Sequence, residues 1–236
     1  YRRAGYGTWP DESPLRGLEI RRELADFLLR SGQPARARAE LLALAAECPD
    51  DPGARRETAR LLLEHALAAE AAAMYREILA GSPRDGAAHA GLGRAEYELR
   101  NYAAARDSFR SALLQNPGDA ASEARLEVVE RILALDPEAR GLKTAEKFAR
   151  SRTLLESVLR SLDGCLEREG RTPAEALRGR LETARRSLAR RGRPRAYGDA
   201  VEENLALAAE LWKERVRCPG PPAREELRLV MERFSE

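Results

Sequence analysis

The residues able to do chemistry are few and badly spaced for it. The chain of 236 residues has two histidines, His65 and His89, and three cysteines, Cys48, Cys165 and Cys218. A metal site needs three or four convergent ligands, usually at short spacing, and no Cys-x-x-Cys or His-x-x-x-His is present. Nucleophile elbows and phosphate loops are also missing. Gly91-Leu92-Gly93 begins like a dinucleotide fingerprint, but it lies within a helical pattern, where it serves close packing. Adjacent carboxylates, Asp50-Asp51 and Glu202-Glu203, point apart on a helix and read as an N-terminal helix charge and a solvated face. The chain is therefore expected to be non-enzymatic, with no cofactor and no metal.

Arginine is the remaining chemistry. Net charge is +2, and charged residues make up 34% of the chain. The charge is uneven, with residues 140–200 strongly basic between two mildly acidic stretches. Arg178, Arg180, Arg185, Arg186, Arg190, Arg191, Arg193 and Arg195 form one basic run. Such a run suits anionic lipid head groups or nucleic-acid phosphates. It has no interleaved aromatics for base stacking, so nucleic acid is not the expected partner.

These residues must be positioned by helices. Alanine and leucine dominate, Val plus Ile are scarce, and aromatics are 5%, a composition that favours helix and nearly excludes a sheet. No charge-free stretch approaches the roughly 20 residues of a membrane span. A 34-residue period runs through the first half. It links Pro49, Pro83 and Pro117; Ala25, Ala59 and Gly93; and Ala37, Ala71 and Ala105. It also links Leu41, Tyr75 and Phe109, and Leu44, Ile78 and Ala112. Small residues admit a close helix crossing, the large ones form a buried stripe, and the prolines stop each second helix. The spacing predicts helix pairs over 18–30/34–48, 53–65/68–81 and 87–99/102–115. Asp119 to Leu135 follows as a capping helix.

The pattern resembles the tetratricopeptide repeat, a helix–turn–helix unit of 34 residues. The resemblance covers residues 18–117 and implies an all-α solenoid of three repeats plus the capping helix. It departs from the family at Arg55 and His89, at Thr58, and at Glu96, where a Tyr is common. It also implies a concave face built from the first helices. Arg22, Asp26, Arg56, Arg60, Leu63, Arg94 and Tyr97 are expected to line it. Arginines with apolar residues between them suit an extended peptide bearing carboxylates. A Lys and two Asn clamp a C-terminal carboxylate in some members of the family. Arg22, Asp26 and Glu57 stand at those places, which disfavours that ligand.

From Gly141 the period is lost and a C-terminal helical bundle is expected. The expected organisation is an N-terminal extension over 1–17, the array with its capping helix over 18–137, and the bundle over 138–236. Helices are predicted over Lys143–Arg168, from Thr172 as N-cap with Pro173 at the first helical position to about Arg190, over Tyr197–Arg217 and over Ala223–Phe234. Up-down-up topology makes the first and third of these parallel, so Cys165 and Cys218 reach one end. Two readings stay open: a Cys165–Cys218 disulfide with Cys48 free, or three unrelated thiols. Leu135-Asp136-Pro137, Arg140-Gly141-Leu142, Cys165 and Cys218-Pro219-Gly220-Pro221-Pro222 also loosely resemble the tails of bacterial tetratricopeptide-repeat proteins, a likeness that implies no activity. The chain begins at Tyr1, and export or anchoring through a preceding segment is expected over a cytoplasmic location.

Two functions follow. The first is a protein-interaction scaffold that takes a protein or peptide segment in the concave groove. The alternative is an electrostatic adaptor whose basic bundle makes peripheral contact with an anionic membrane surface or nucleic acid.

Overall fold

The structure is a computed structural model describing residues 14–139, 141–170, 172–190 and 196–234, with the side chains of the first segment described from residue 20. Eleven helices account for the regular structure among these residues. The chain forms two compact units, one running to Leu126 and the other beginning at Glu127.

The first unit is built of helix pairs: α1 (Pro14–Arg30) with α2 (Pro34–Ala46), α3 (Pro52–Glu64) with α4 (Ala68–Gly81), and α5 (Gly86–Glu98) with α6 (Tyr102–Gln115). These bounds lie within a few residues of those predicted. Each first helix packs on its own partner and on a neighbouring first helix, and α3 and α5 also pack on the second helix of the preceding pair. The residues of the four non-proline registers are all buried, from Ala25, Ala59 and Gly93 to Leu44, Ile78 and Ala112.

Packing at the crossings is tight. A Cβ on Gly93 would lie 2.7 Å from the Phe109 ring of α6, and one on Gly91 would lie 2.2 Å from Cζ of Tyr75 on α4. The Tyr75 ring of α4 and the Phe109 ring of α6 therefore each need a bare backbone on α5. Glu96 of α5 is also buried, and its carboxylate is met by Arg76 of α4 and, at 2.8 Å, by the Asn101 side chain. A buried carboxylate persists when it is paired and hydrogen-bonded. Thr58 is buried too, with its hydroxyl 3.3 Å from the Cys48 sulfur.

Two further 34-residue registers sit in the turns. Gly32, Ala66 and Arg100 have φ of 69°, 60° and 60°. In each, the next residue's N–H reaches back to the first helix: Gln33 to Leu28, Leu67 to Leu62 and Asn101 to Glu96, at 2.8–2.9 Å. This left-handed stop closes the orphan carbonyls of the helix end. Asp51, Asp85 and Asp119 cap the helices that follow the prolines, accepting from the N–H groups of Ala54, Ala88 and Ser122 at 2.7, 2.9 and 3.1 Å. The Ser122 hydroxyl and N–H hold the Asp119 carboxyl below its ordinary range. Burial pushes the Asp85 carboxyl up, but the Ala88 N–H and the Arg56 guanidinium outweigh it and the net direction is down.

The second unit takes the latter part of α7 (Ala120–Leu135) with α8 (Thr144–Arg168), α9 (Glu175–Ala189), α10 (Tyr197–Arg217) and α11 (Glu225–Glu232). The division falls inside α7, ahead of the expected boundary at residue 138. Helices α8 and α10 run parallel, as three polar links in register show. Asn204 donates to Ser151 at 3.0 Å, Arg215 donates to Ser161 at 2.9 Å, and Cys165 and Cys218 lie in a disulfide with Cα atoms 6.5 Å apart. Cys48 is a free thiol. Leu154, Leu155, Val158, Leu162, Leu181, Ala184, Ala208, Leu211 and Met231 form the core between them. The start of α9 differs from expectation. Thr172 and Pro173 precede the helix, whose N-cap is Ala174, an extended residue with ψ of 157°. The Pro173 carbonyl is instead held by the Arg178 side chain at 2.9 Å.

Three outcomes test these assignments. Gly93→Leu overpacks the Phe109 crossing and should lower stability by about 1–3 kcal/mol or more, read as a lower melting temperature. Ala66→Gly should raise it, because the left-handed conformation costs an L-residue about 1–2 kcal/mol, against about 0.5–1 kcal/mol of added chain entropy for glycine. Stability should also fall on acidification. The folded carboxyls of Asp85 and Asp119 bind fewer protons than in the unfolded chain. Their contribution is thus present above the unfolded value near 4 and is lost as pH drops through the lower folded values. In an acid titration followed by circular dichroism, Asp85→Asn should flatten that loss.

Candidate partner-binding groove

The first helices pack in succession, α1 on α3 and α3 on α5, so their side chains can be compared along one row. Arg22 on α1 is exposed and Asp26 is half-buried. The Asp26 carboxylate stands 3.6 Å from Nε2 of His65, at the C-terminal end of α3. Among the arginines of α3, Arg56 spans to Asp85 at 2.6 Å, linking one repeat to the cap of the next. Arg60 forms an ion pair with Glu57 at 2.5 Å and a second with Glu64. The Arg60 side chain holds the Glu57 carboxyl below its ordinary range. Arg56 and Arg60 thus carry partners from the array itself, and their charge is largely answered before any ligand arrives.

Arg94, one helix on, is exposed and makes no ion pair among the described residues. With Leu63, Tyr97, Glu98 and Arg125 it lines a small cavity of about 140 Å³. The guanidinium of Arg125 on α7 lies over the Tyr97 ring, 5.2 Å from its centroid, a cation–π arrangement. Tyr97 also meets Tyr102 edge-on at 5.7 Å. Leu63 and Tyr97 are mostly buried, so they form the floor of this cavity rather than free anchors. Leu29 on α1 is 41% exposed. Of the seven sequence-derived groove residues, the structure gathers Leu63, Arg94 and Tyr97 around one cavity and places Arg22, Asp26, Arg56 and Arg60 apart from it.

Two residues near this surface were not foreseen for it. Arg125 lies on the helix after the third repeat, where the small-residue registers no longer mark the face. Tyr75 belongs by its spacing to the buried stripe. Its ring crosses α5 at Gly91, and its hydroxyl sits in the field of Arg94, Arg60, Glu57 and Glu64. Burial is the largest influence on that hydroxyl and raises its pKa. The Gly91-x-Gly93 pair was the available signal, since a second bare position on α5 requires a second ring.

The basic run is only partly free. Arg180 lies 3.3 Å from Glu210 and 3.6 Å from Glu214, and Arg185 pairs with Asp163 at 2.9 Å. Arg178 donates to the Pro173 carbonyl and Arg186 to the Glu182 carbonyl. Arg190 is exposed. Arg191, Arg193 and Arg195 lie outside the described residues. Among the described residues no helix is long and apolar enough to cross a membrane, and no group of three His, Cys, Asp or Glu could hold a metal.

Comparison with known proteins bears on the array. No curated protein matches the chain. Family models described as tetratricopeptide repeat match residues 18–61 and 62–127, the span that carries the 34-residue registers and their caps. Such repeats generally mediate protein–protein interaction, in proteins that are typically non-enzymatic scaffolds. Residues 18–127, with their three buried helix pairs, are thus an array of tetratricopeptide repeats.

Proposed function

We propose that the chain is a non-enzymatic interaction scaffold whose repeat array takes an extended peptide along the face of α1, α3 and α5. The observation that carries this is the unequal state of the arginines. Arg56 and Arg60 are neutralised within the array, whereas Arg94 stands exposed beside a cavity floored by Leu63 and Tyr97. A carboxylate of the peptide meets the guanidinium of Arg94, which offers a bidentate fork. An adjacent apolar side chain enters the cavity and excludes water from that pair. Arg22 and the exposed Leu29 extend the same chemistry along α1. The electrostatic-adaptor reading is the weaker one, because Arg180 and Arg185 of the basic run already face Glu210, Glu214 and Asp163.

Peptide-library selection against the full chain should enrich sequences that place an acidic residue next to an apolar one. Arg94→Glu should weaken a selected peptide by at least about tenfold, the equivalent of one charged hydrogen bond, with helicity unchanged. Arg178→Glu, an equal charge change in the other unit, should leave affinity as it was. Selection of neutral sequences indifferent to Arg94 would move the site elsewhere.

A further inference from the structure

The second unit holds a cavity of about 580 Å³ for which the peptide groove has no use. Arg131 of α7, Arg160 and Arg168 of α8, Arg215 of α10 and Arg224 before α11 line it, against a single lining carboxylate, Glu226. These arginines come from segments far apart in sequence, so the cluster is a product of the fold. Two of the five are answered: Arg131 lies 3.4 Å from Glu226 and 3.5 Å from Glu127, and Arg160 pairs with Glu156 at 2.8 Å.

The other three are not. Arg215 is buried, and its guanidinium donates to the Ser161 hydroxyl at 2.9 Å and the Pro221 carbonyl at 2.6 Å, both neutral acceptors. Burial and the neighbouring charge of Arg168 both act against its protonated form. Arg168 and Arg224 make no ion pair among the described residues. Converging cations left without counter-charge favour an anion between them, and arginine forks suit the paired oxygens of phosphate or carboxylate. Ser157 and Ser161 also line the cavity, and Leu135, Pro222 and Leu227 supply an apolar part of its wall. The loop bearing Pro221 and Pro222 is tied to α8 through the Cys165–Cys218 bond, which holds that wall against the arginines. The volume falls in the range of small-molecule sites, about 300–1,000 Å³.

We propose that this cavity binds a small organic anion, its phosphate or carboxylate oxygens held by Arg168, Arg215 and Arg224 and its apolar body resting on Leu135, Pro222 and Leu227. Titration calorimetry of the full chain with phenyl phosphate and, separately, phenylacetate tests this and tells the two oxyanions apart. At least one probe should bind saturably with one site per chain. Arg168→Gln with Arg224→Gln should weaken it by at least about tenfold. Arg185→Gln with Arg186→Gln, the same charge loss on α9, should leave it unchanged. No saturable binding of either probe overturns the proposal, and so does equal weakening by the two double variants, which would mark diffuse electrostatics.

Discussion

The close approach of helices at α5 is the constraint on which the array depends. Phe109 and Tyr75 each lay a ring over a glycine of that helix, at distances that leave no room for a Cβ. Alanine at positions 25 and 59 does the same work in the earlier pairs, fully buried in both. A core of small residues against large ones gives each pair little apolar area of its own. Stability must then come from stacking, α3 and α5 being covered by the second helix of the preceding pair as well as by their own.

The joints repeat as strictly as the crossings. A left-handed residue ends each first helix and an aspartate caps the helix after each proline. These joints also account for the charge pattern. Asp85 is at once the cap of α5 and the partner of Arg56 on α3, so one carboxylate fixes a helix start and ties two repeats. Glu96 likewise joins α4, α5 and the turn after it through Arg76 and Asn101. Much of the arginine of the first unit is consumed in this way, whereas Arg94, like Arg22, makes no ion pair among the described residues.

The second unit uses polar contacts differently. Its two long parallel helices share Ser151–Asn204 and Ser161–Arg215 hydrogen bonds and the cysteine pair, all in one register, inside an otherwise aliphatic core. Parallel helices bring their like ends together, which gathers Arg168 and Arg215 at the end where the proline-rich loop folds back. Of the basic run seen in the linear chain, Arg180 and Arg185 are paired with carboxylates, and a separate arginine cluster lines the cavity of this unit.

Periodicity in the sequence determined the helix pairs, the buried registers and their bounds to within a few residues, because each 34-residue unit repeats the same local packing demand and each proline stops a helix by its own geometry. The left-handed turn was legible at Gly32, but not at Ala66 or Arg100, whose residue types carry no such preference. The aspartate caps are present in the 34-residue spacing of Asp51, Asp85 and Asp119, of which the carboxylate pair at Asp50-Asp51 already reads as a helix-start charge. Helical spacing puts Glu57 and Glu64 beside Arg60, but the state of Arg56 and of the cavity arginines was beyond reach of the sequence. Whether Arg56 faces a carboxylate depends on a residue 29 positions away, and the cluster around Arg215 draws on helices with no common period. Tertiary structure decided which charges are spent holding the fold and which stand without a counter-charge, because a charge is neutralised by what lies near it in space.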